Sequence, residues 1–327
     1  MKISIAMTTY NGSKHIKEQL SSIKCQTLQP DEVIICDDVS HDDTIEIVSK
    51  FIKENNLENW HLICNDQNLG WKRNFRKAIG LTHGDIIFFS DQDDIWLTEK
   101  IEYMTALMTK YDMGCLYGES IKIDDDGKLL EELNSVNHFT DEFTKIKFTN
   151  SFYTVGGLGC CMCVKRRVAD KYLELEMIDD DHDSQCPRIA VLYDSLWRVN
   201  KAVIKYRIYP GNTSGISDQY SFGTSNVKQR IEDMRIIRNW LNAVINDGDA
   251  EESRLKNVEK ALKALDKRGS YLEGNRTLFF ELIPLYKYYS GMTMLIGDFA
   301  YKHKLNIILG KIRWKISKIR AKLKTLD

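Results

Sequence analysis

The 327-residue sequence predicts an α/β fold, a mostly parallel sheet with helices on both faces, followed by a helical C-terminal region. Three observations lead there. Short apolar runs alternate with amphipathic stretches through the first 125 residues, the pattern of strands buried on both faces by crossover helices. Each apolar run is followed by a polar cluster: TTYN, DDVSHDD, NDQNLG and SDQDD. Such sheets bind ligands beyond the carboxyl ends of their strands. From Val227 onward, Ile, Leu and Trp recur at helical spacing among Lys and Glu.

Taken in order, Ile3–Met7 reads as a strand, and Ser13–Cys25 as a helix with Ile16, Leu20 and Ile23 on one face. Glu32–Cys36 is a strand, Thr44–Glu54 a helix, and His61–Cys64 a strand. Trp71–Leu81 is a helix carrying Phe75, Ala78 and Ile79. Asp85–Phe89 is a strand, Thr98–Tyr111 a helix and Cys115–Ile123 a further strand. Residues 126–223 are less regular, with a glycine-rich VGGLGCCMC, an acidic loop IDDDHD, and strand-like runs at Ser195–Val199 and Lys201–Tyr209. These mark a first domain over 1–223 and a helical region over 224–327.

Net charge is −1, but the segment from Lys302 to Asp327 carries nine Lys/Arg and one acidic residue, so the remainder is acidic. A nucleic-acid binder spreads basic groups over a folded face, and this chain does not. No apolar run reaches the length of a membrane span, and MKISIAMTTYNG lacks a signal-peptide core. The eight cysteines contain no CxxC pair, which favours reduced, buried thiols over disulfides or zinc, and Cys160, Cys161 and Cys163 read as small apolar fillers of a strand. Ile308, Ile312, Ile316, Ile319 and Leu323 share one helical face of the basic tail. Two readings of that tail stand: contact with an anionic membrane surface, or docking against neighbouring helices.

SDQDDIW is the most informative stretch. Like charges this close repel, and a carboxylate at a strand end loses hydration, so a positive group belongs among them. A divalent cation held by oxygen ligands, with phosphate as its companion, answers that need.

With these clusters in this order, residues 1–125 resemble the nucleotide-binding half of a family 2 glycosyltransferase with the GT-A fold. SDQDDIW narrows the resemblance to the bacterial rhamnosyltransferase-like branch. The resemblance implies a nucleotide-sugar-binding half over 1–125 and an acceptor-side half over 126–223. It implies that Thr8 and Tyr10 border the base, and that Asp38, in Asp37-Asp38-Val39-Ser40, accepts a hydrogen bond from the pyrimidine ring N–H. Val39 stands where the family has Gly or Cys; Asp42 and Asp43 also read as caps for the helix at Thr44. Asn68 and Gly70 match the segment after the third strand, where Lys72 and Arg73 either meet the diphosphate or simply solvate a helix start.

In the DxD element the resemblance makes Asp93 and Asp91 metal ligands for Mn2+ or Mg2+, with Asp91 and Asp94 also contacting the donor. His182-Asp183 and Tyr206-Arg207 lie at the family's separation, which implies that Asp183 is the general base of an inverting transfer. Asp194 is a second candidate, and a solvated acidic loop is the alternative to both. Ile208-Tyr209 departs from the family's Gln-His, and Gly159-Cys160 resembles its acceptor-side Gly-Cys step. The implied partners are a dTDP-L-rhamnose or UDP-sugar donor and a glycan acceptor, lipid-linked or not, with no nucleic acid. The implied location is cytoplasmic, peripheral on the inner membrane face if the tail binds lipid. The rivals are a sugar nucleotidyltransferase, which calls for a basic Gly-rich loop after the first strand, and a non-catalytic scaffold on the membrane.

Overall fold

The computed structural model describes residues 1–134, 139–175, 181–209, 227–288 and 292–303. Strands β1 (Ile3–Thr9), β2 (Glu32–Asp37), β3 (Trp60–Cys64) and β4 (Ile86–Ser90) form within two residues of their expected bounds. They pair in parallel, Ile5 facing both Val33 of β2 and Phe88 of β4, and Ile35 facing Leu62. Every residue of β1 and β4 is buried, as continuous apolar runs covered on both faces require. Helices α1 (Ile16–Lys24), α2 (Thr44–Glu54) and α3 (Trp71–Leu81) are the crossovers, presenting Leu20, Val48, Phe75 and Ile79 inward.

The sheet continues with β5 (Ile95–Trp96), β6 (Cys115–Ile123), β7 (Phe143–Lys145), β8 (Met162–Lys165) and β9 (Leu196–Arg207). Its order is β3-β2-β1-β4-β8-β6-β9-β5, with β7 also paired to β9, nine strands among the described residues. Strands β1, β2, β3, β4, β6 and β9 run one way and β5, β7 and β8 run against them, so the sheet is mostly parallel. Between these strands lie α4 (Lys100–Lys110), α5 (Glu131–Asn134), α6 (Arg166–Glu174) and α7 (His182–Leu192).

Two sequence expectations change here. His182 and Asp183 belong to a helix rather than a loop: Asp181 caps α7, its side chain accepting from the Ser184 N–H at 2.8 Å. The two strand-like runs after Asp194 are one strand, β9, because its residues pair with β6 along nearly their whole length. All eight cysteines are free; Cys25 and Cys64 are exposed and the other six buried.

The chain divides into two compact units, Met1–Phe148 with Val155–Asn212, and Thr149–Thr154 with Thr213–Asp327. The second is helical: α8 (Val227–Asp247), α9 (Glu252–Glu273), α10 (Leu278–Leu282) and α11 (Met292–Lys302). Trp240, Leu241, Val258, Leu265 and Leu282 form its interior, and the fully buried Asp298 pairs with Arg230 and Arg268. The amphipathic face from Ile308 to Leu323 lies outside the described residues. Among the described residues no helix is long and apolar enough to cross a membrane.

Candidate active site

All six parallel strands deliver their carboxyl ends to one edge, and the polar clusters gather there. At the end of β1, Thr9 Oγ1 donates to Asp37 Oδ2 (2.7 Å), while Ser40 N–H and Oγ also donate to Asp37. Asp37 is thus spent on shaping its own turn. Asp38, 3% exposed, accepts from Asn65 Nδ2 (2.8 Å), Leu69 N–H (2.7 Å) and Gly70 N–H (2.8 Å). Four lone-pair sites less three donors leave one for a ligand. Val39 sits at φ 67°, in the left-handed region that a β-branched side chain resists, so this is where glycine would be at ease. Asp42 caps α2 through Thr44 N–H (3.1 Å) and also holds Ser13 N–H (3.0 Å); Asp43 makes no capping bond.

Asn65, absent from the sequence reading, ties β3 to α3: it donates to Asn74 Oδ1 (2.9 Å) and accepts from Lys77 Nζ (2.7 Å). Asn74 passes the connection to the Cys36 carbonyl (2.8 Å). Asn68 donates to the Asp38 carbonyl (3.0 Å), so it sets the loop that presents Gly70. Gly70 has φ 78° and ψ 151°, a conformation essentially confined to glycine, and an added Cβ would meet nothing within 4 Å. Thr8 is buried, whereas Tyr10 and Arg73 are exposed at the rim.

The DQDD loop is bound to the rest of the site by residues that its own sequence does not announce. Gln92 clamps the backbone of Tyr10, accepting from its N–H (2.8 Å) and donating to its carbonyl (3.0 Å). A Cβ on Gly12 would lie 2.2 Å from Gln92 Oε1, so the glycine makes the clamp possible. The expected positive group is Arg207, 1% exposed at the end of β9. Its Nε donates to the Asp93 carbonyl (2.8 Å), Nη1 to the Asp125 carbonyl (2.8 Å) and Nη2 to Glu18 (2.5 Å), while its N–H holds Asp94 Oδ1 (3.1 Å). Tyr209 donates its hydroxyl to Asp93 Oδ2 (2.8 Å) and stands 5.3 Å, ring to ring, from His15.

Burial, with the Asp93 and Asp183 charges, pushes Asp91 up to about 7 against the pull of His182. Burial also raises Asp93 and holds Asp94 well above the carboxylate range. Asp94 is 1% exposed, and its Oδ2 has no hydrogen-bond partner among the described residues. One ligand atom each from Asp91, Asp94 and Cys160 lies within 4.8 Å of the others, while Asp93 is turned to Tyr209.

The opposite wall is the first turn of α7. His182, buried, stacks on Phe75 (4.1 Å) and meets Phe89 edge-on (4.8 Å), and its Nε2 lies 2.7 Å from Asp183 Oδ1. Burial works to lower its pKa, but Asp183, Asp91 and Asp181 outweigh that and hold the imidazole above the ordinary histidine value. A Cβ on Gly159 would fall 2.0 Å from Asp183 Oδ1 and 2.6 Å from His182 Nε2, so the Gly159-Cys160 step leaves room for this pair. Asp194, by contrast, precedes β9 at the far end of the sheet and ion-pairs with Lys145 (2.6 Å). Asp91, Asp93, Asp94 and Asp183 therefore share one site, and Asp38 with Asn68 lies at the same carboxyl edge of the sheet. Asn65 and the particular contacts of Gln92 and Arg207 are what motif reading missed; the Gly159-Cys160 step and the Tyr206-Arg207 pair stood out by resemblance alone.

The glycosyl transferase family 2 profile matches residues 4–173, just over half of the chain. The chain belongs to that family. Among curated relatives, the UDP-Glc:alpha-D-GlcNAc-diphosphoundecaprenol beta-1,3-glucosyltransferase WfgD of Escherichia coli is 32% identical over 36% of this chain and 44% of its own length. The dTDP-rhamnosyl transferase RfbG of Shigella flexneri is 30% identical over 49% of this chain and 54% of its own. The chain thus spans about half the length of these family 2 relatives. Staphylococcus aureus TarS residues 1–349, solved with UDP-GlcNAc, superposes with a TM-score of 0.58 at 20% identity, over 91% of this chain and 81% of TarS 1–349. The mannosyltransferase PcManGT of Pyrobaculum calidifontis, solved with GDP-Man and Mn2+, gives 0.52 at 14% identity over 92% and 86%. The fold of this family 2 chain is GT-A.

Proposed function

We propose that this chain is an inverting, metal-dependent glycosyltransferase that moves a sugar from a pyrimidine nucleotide-sugar to a glycan hydroxyl in bacterial cell-surface polysaccharide synthesis. The observation that carries the reading is the meeting of Asp183 with Asp91 at the carboxyl edge of the sheet, across a turn that glycine keeps open. A dTDP-L-rhamnose or UDP-sugar donor agrees with the donors named for RfbG and WfgD, and a lipid-linked acceptor agrees with the diphosphoundecaprenol of the latter.

In this scheme residues 1–125 bind the nucleotide. The base lies near Thr8 and Tyr10, its ring N–H on the remaining lone pair of Asp38. Arg73 and the Asn68–Gly70 loop meet the diphosphate, and Asp94 with Asp91 contacts the donor sugar. Residues 126–223 supply the acceptor side. Asp183 takes the proton of the acceptor hydroxyl as that oxygen attacks the anomeric carbon. The bond from that carbon to the diphosphate oxygen breaks on the opposite face, so configuration inverts without a sugar–enzyme intermediate. His182 fixes Asp183 from behind and is itself wedged between Phe75 and Phe89.

The residues fit a divalent cation: the carboxylates are crowded, Asp94 is buried with Asp91 and Asp93 half-buried beside it, and one Asp94 oxygen has no partner among the described residues. Asp91 and Asp93 would hold Mn2+ or Mg2+, which neutralises charge developing on the departing nucleoside diphosphate. The reading places the work at the inner face of the cytoplasmic membrane. A panel of UDP- and dTDP-sugars with manganese tests it. Release of nucleoside diphosphate supports transfer, pyrophosphate would point to a nucleotidyltransferase, and no turnover of any donor would leave a scaffold.

A further inference from the structure

We propose that Asp91, Asp94 and the thiol of Cys160 form a mixed oxygen–sulfur pocket for a thiophilic divalent cation of the zinc class. The pocket deepens the reading above and shares Asp91 with it, so a zinc-class ion and manganese exclude one another.

Three independent features converge. One ligand atom from each of the three residues lies within 4.8 Å of the other two, compatible with metal–ligand bonds of about 2.0–2.3 Å to a common ion. Asp94 is 1% exposed, with Oδ2 lacking a hydrogen-bond partner among the described residues, so an acceptor is left over on a buried carboxyl beside Asp91 and the Cys160 thiol. Cys160 is 2% exposed and its position is set from both sides: Lys100 Nζ donates to its carbonyl (2.6 Å), and Gly159 yields to His182 and Asp183. Asp93 is engaged with Tyr209 and leaves the triad to the other three.

The donor set decides the ion. Magnesium wants an all-oxygen octahedron, whereas one sulfur beside two carboxylates suits Zn2+ or Cd2+ in four-coordination, the fourth place left to water. On binding, the Cys160 thiol passes its proton to bulk water and ligates as thiolate. Two carboxylates and a thiolate around a dication leave one negative charge, which the buried Lys100 ammonium and Arg207 guanidinium offset. The consequence is inhibition by trace zinc-class ions through an ion that carries no donor phosphate.

The test uses the full chain and Cd2+ alone, reading the sulfur-to-cadmium charge-transfer absorption in the ultraviolet. The expected result is a band saturating near one equivalent and suppressed by excess Mn2+. Cys160→Ser removes the band. Cys161→Ser keeps it, since the neighbouring thiol points to the Glu119 carbonyl at 3.7 Å. Asp94→Asn, which leaves the sulfur in place, weakens cadmium binding by about tenfold or more; it decides the matter if Cys160→Ser does not fold. A band that survives Cys160→Ser, an affinity unchanged in Asp94→Asn, or no band in the wild type overturns the pocket. Lack of manganese-dependent UDP or dTDP binding by the wild type would overturn the transferase reading instead.

Discussion

Replacing Arg207 by methionine removes the guanidinium that lies beneath the acidic loop among the described residues while keeping most of its buried volume. Three backbone carbonyls, of Asp93, Asp124 and Asp125, lose donors at 2.8, 3.3 and 2.8 Å. A buried acceptor left without its donor costs about 1–3 kcal/mol, and the longer contact sits at the low end. The Glu18 carboxylate returns to solvent, being 54% exposed, and adds at most about 1 kcal/mol. The expected loss is about 3–5 kcal/mol of unfolding free energy, a large share of the 5–15 kcal/mol typical of a domain.

The lost positive charge also leaves Asp91, Asp93 and Asp94 repelling one another, so added Mn2+ should recover more stability in the variant than in the wild type. At one hundred times its dissociation constant, a ligand of the native state contributes about 2.7 kcal/mol. Urea unfolding followed by tryptophan fluorescence, with and without Mn2+, measures both effects. A loss below about 1 kcal/mol, or equal recovery in both proteins, would refute the assignment of Arg207 as the internal counter-charge.

Tyr209→Phe removes the hydroxyl that orients Asp93 and should weaken Mn2+ binding about tenfold by calorimetry; unchanged affinity would mean that the contact orients nothing. Val39→Gly relieves a left-handed conformation worth about 1–2 kcal/mol and costs about 0.5–1 kcal/mol of glycine entropy. It should therefore raise the urea midpoint slightly, and a fall would show that the valine is at ease. Burial works to raise Glu32, but hydrogen bonds from Ser4 and His83 win and hold it below its usual 4.5. The unfolded chain thus binds the extra proton, so this stabilisation is complete above pH 4.5 and fades as pH falls through the folded value. Glu32→Gln should flatten that part of the acid-unfolding curve, and an identical acid limb would count against it.

Strands β1, β2 and β4 with their crossovers were legible because both faces are buried, so each is an unbroken apolar run such as IIFFS with an amphipathic helix beside it, whereas the half-exposed edge strand β3 was legible from its place in the alternation. Helix α7 was not, since HDSQCPRIAVL is buried almost all round and carries Pro187, leaving no polar stripe to reveal its period. Strand β8 wedges antiparallel between β4 and β6, a choice made by tertiary packing that local pattern does not encode. In the site, the carboxylates stood out because crowded acids at a strand end need an explanation. Their contacts did not: the Tyr206-Arg207 pair stood out by resemblance, but Arg207 lies 113 residues or more from the acids it serves, and nothing local says which charges it meets. The Val39 departure noted in the sequence acquires its meaning only from the backbone angle.

The central claim is that Asp183 removes a proton from the acceptor while the other acids serve the donor. Single-turnover kinetics of Asp183→Asn, run beside titration of its nucleotide affinity, tests it most directly. The account predicts UDP or dTDP affinity within about twofold of wild type and a transfer rate lower by about 100-fold or more. Transfer at the wild-type rate in a variant that still binds nucleotide would contradict it.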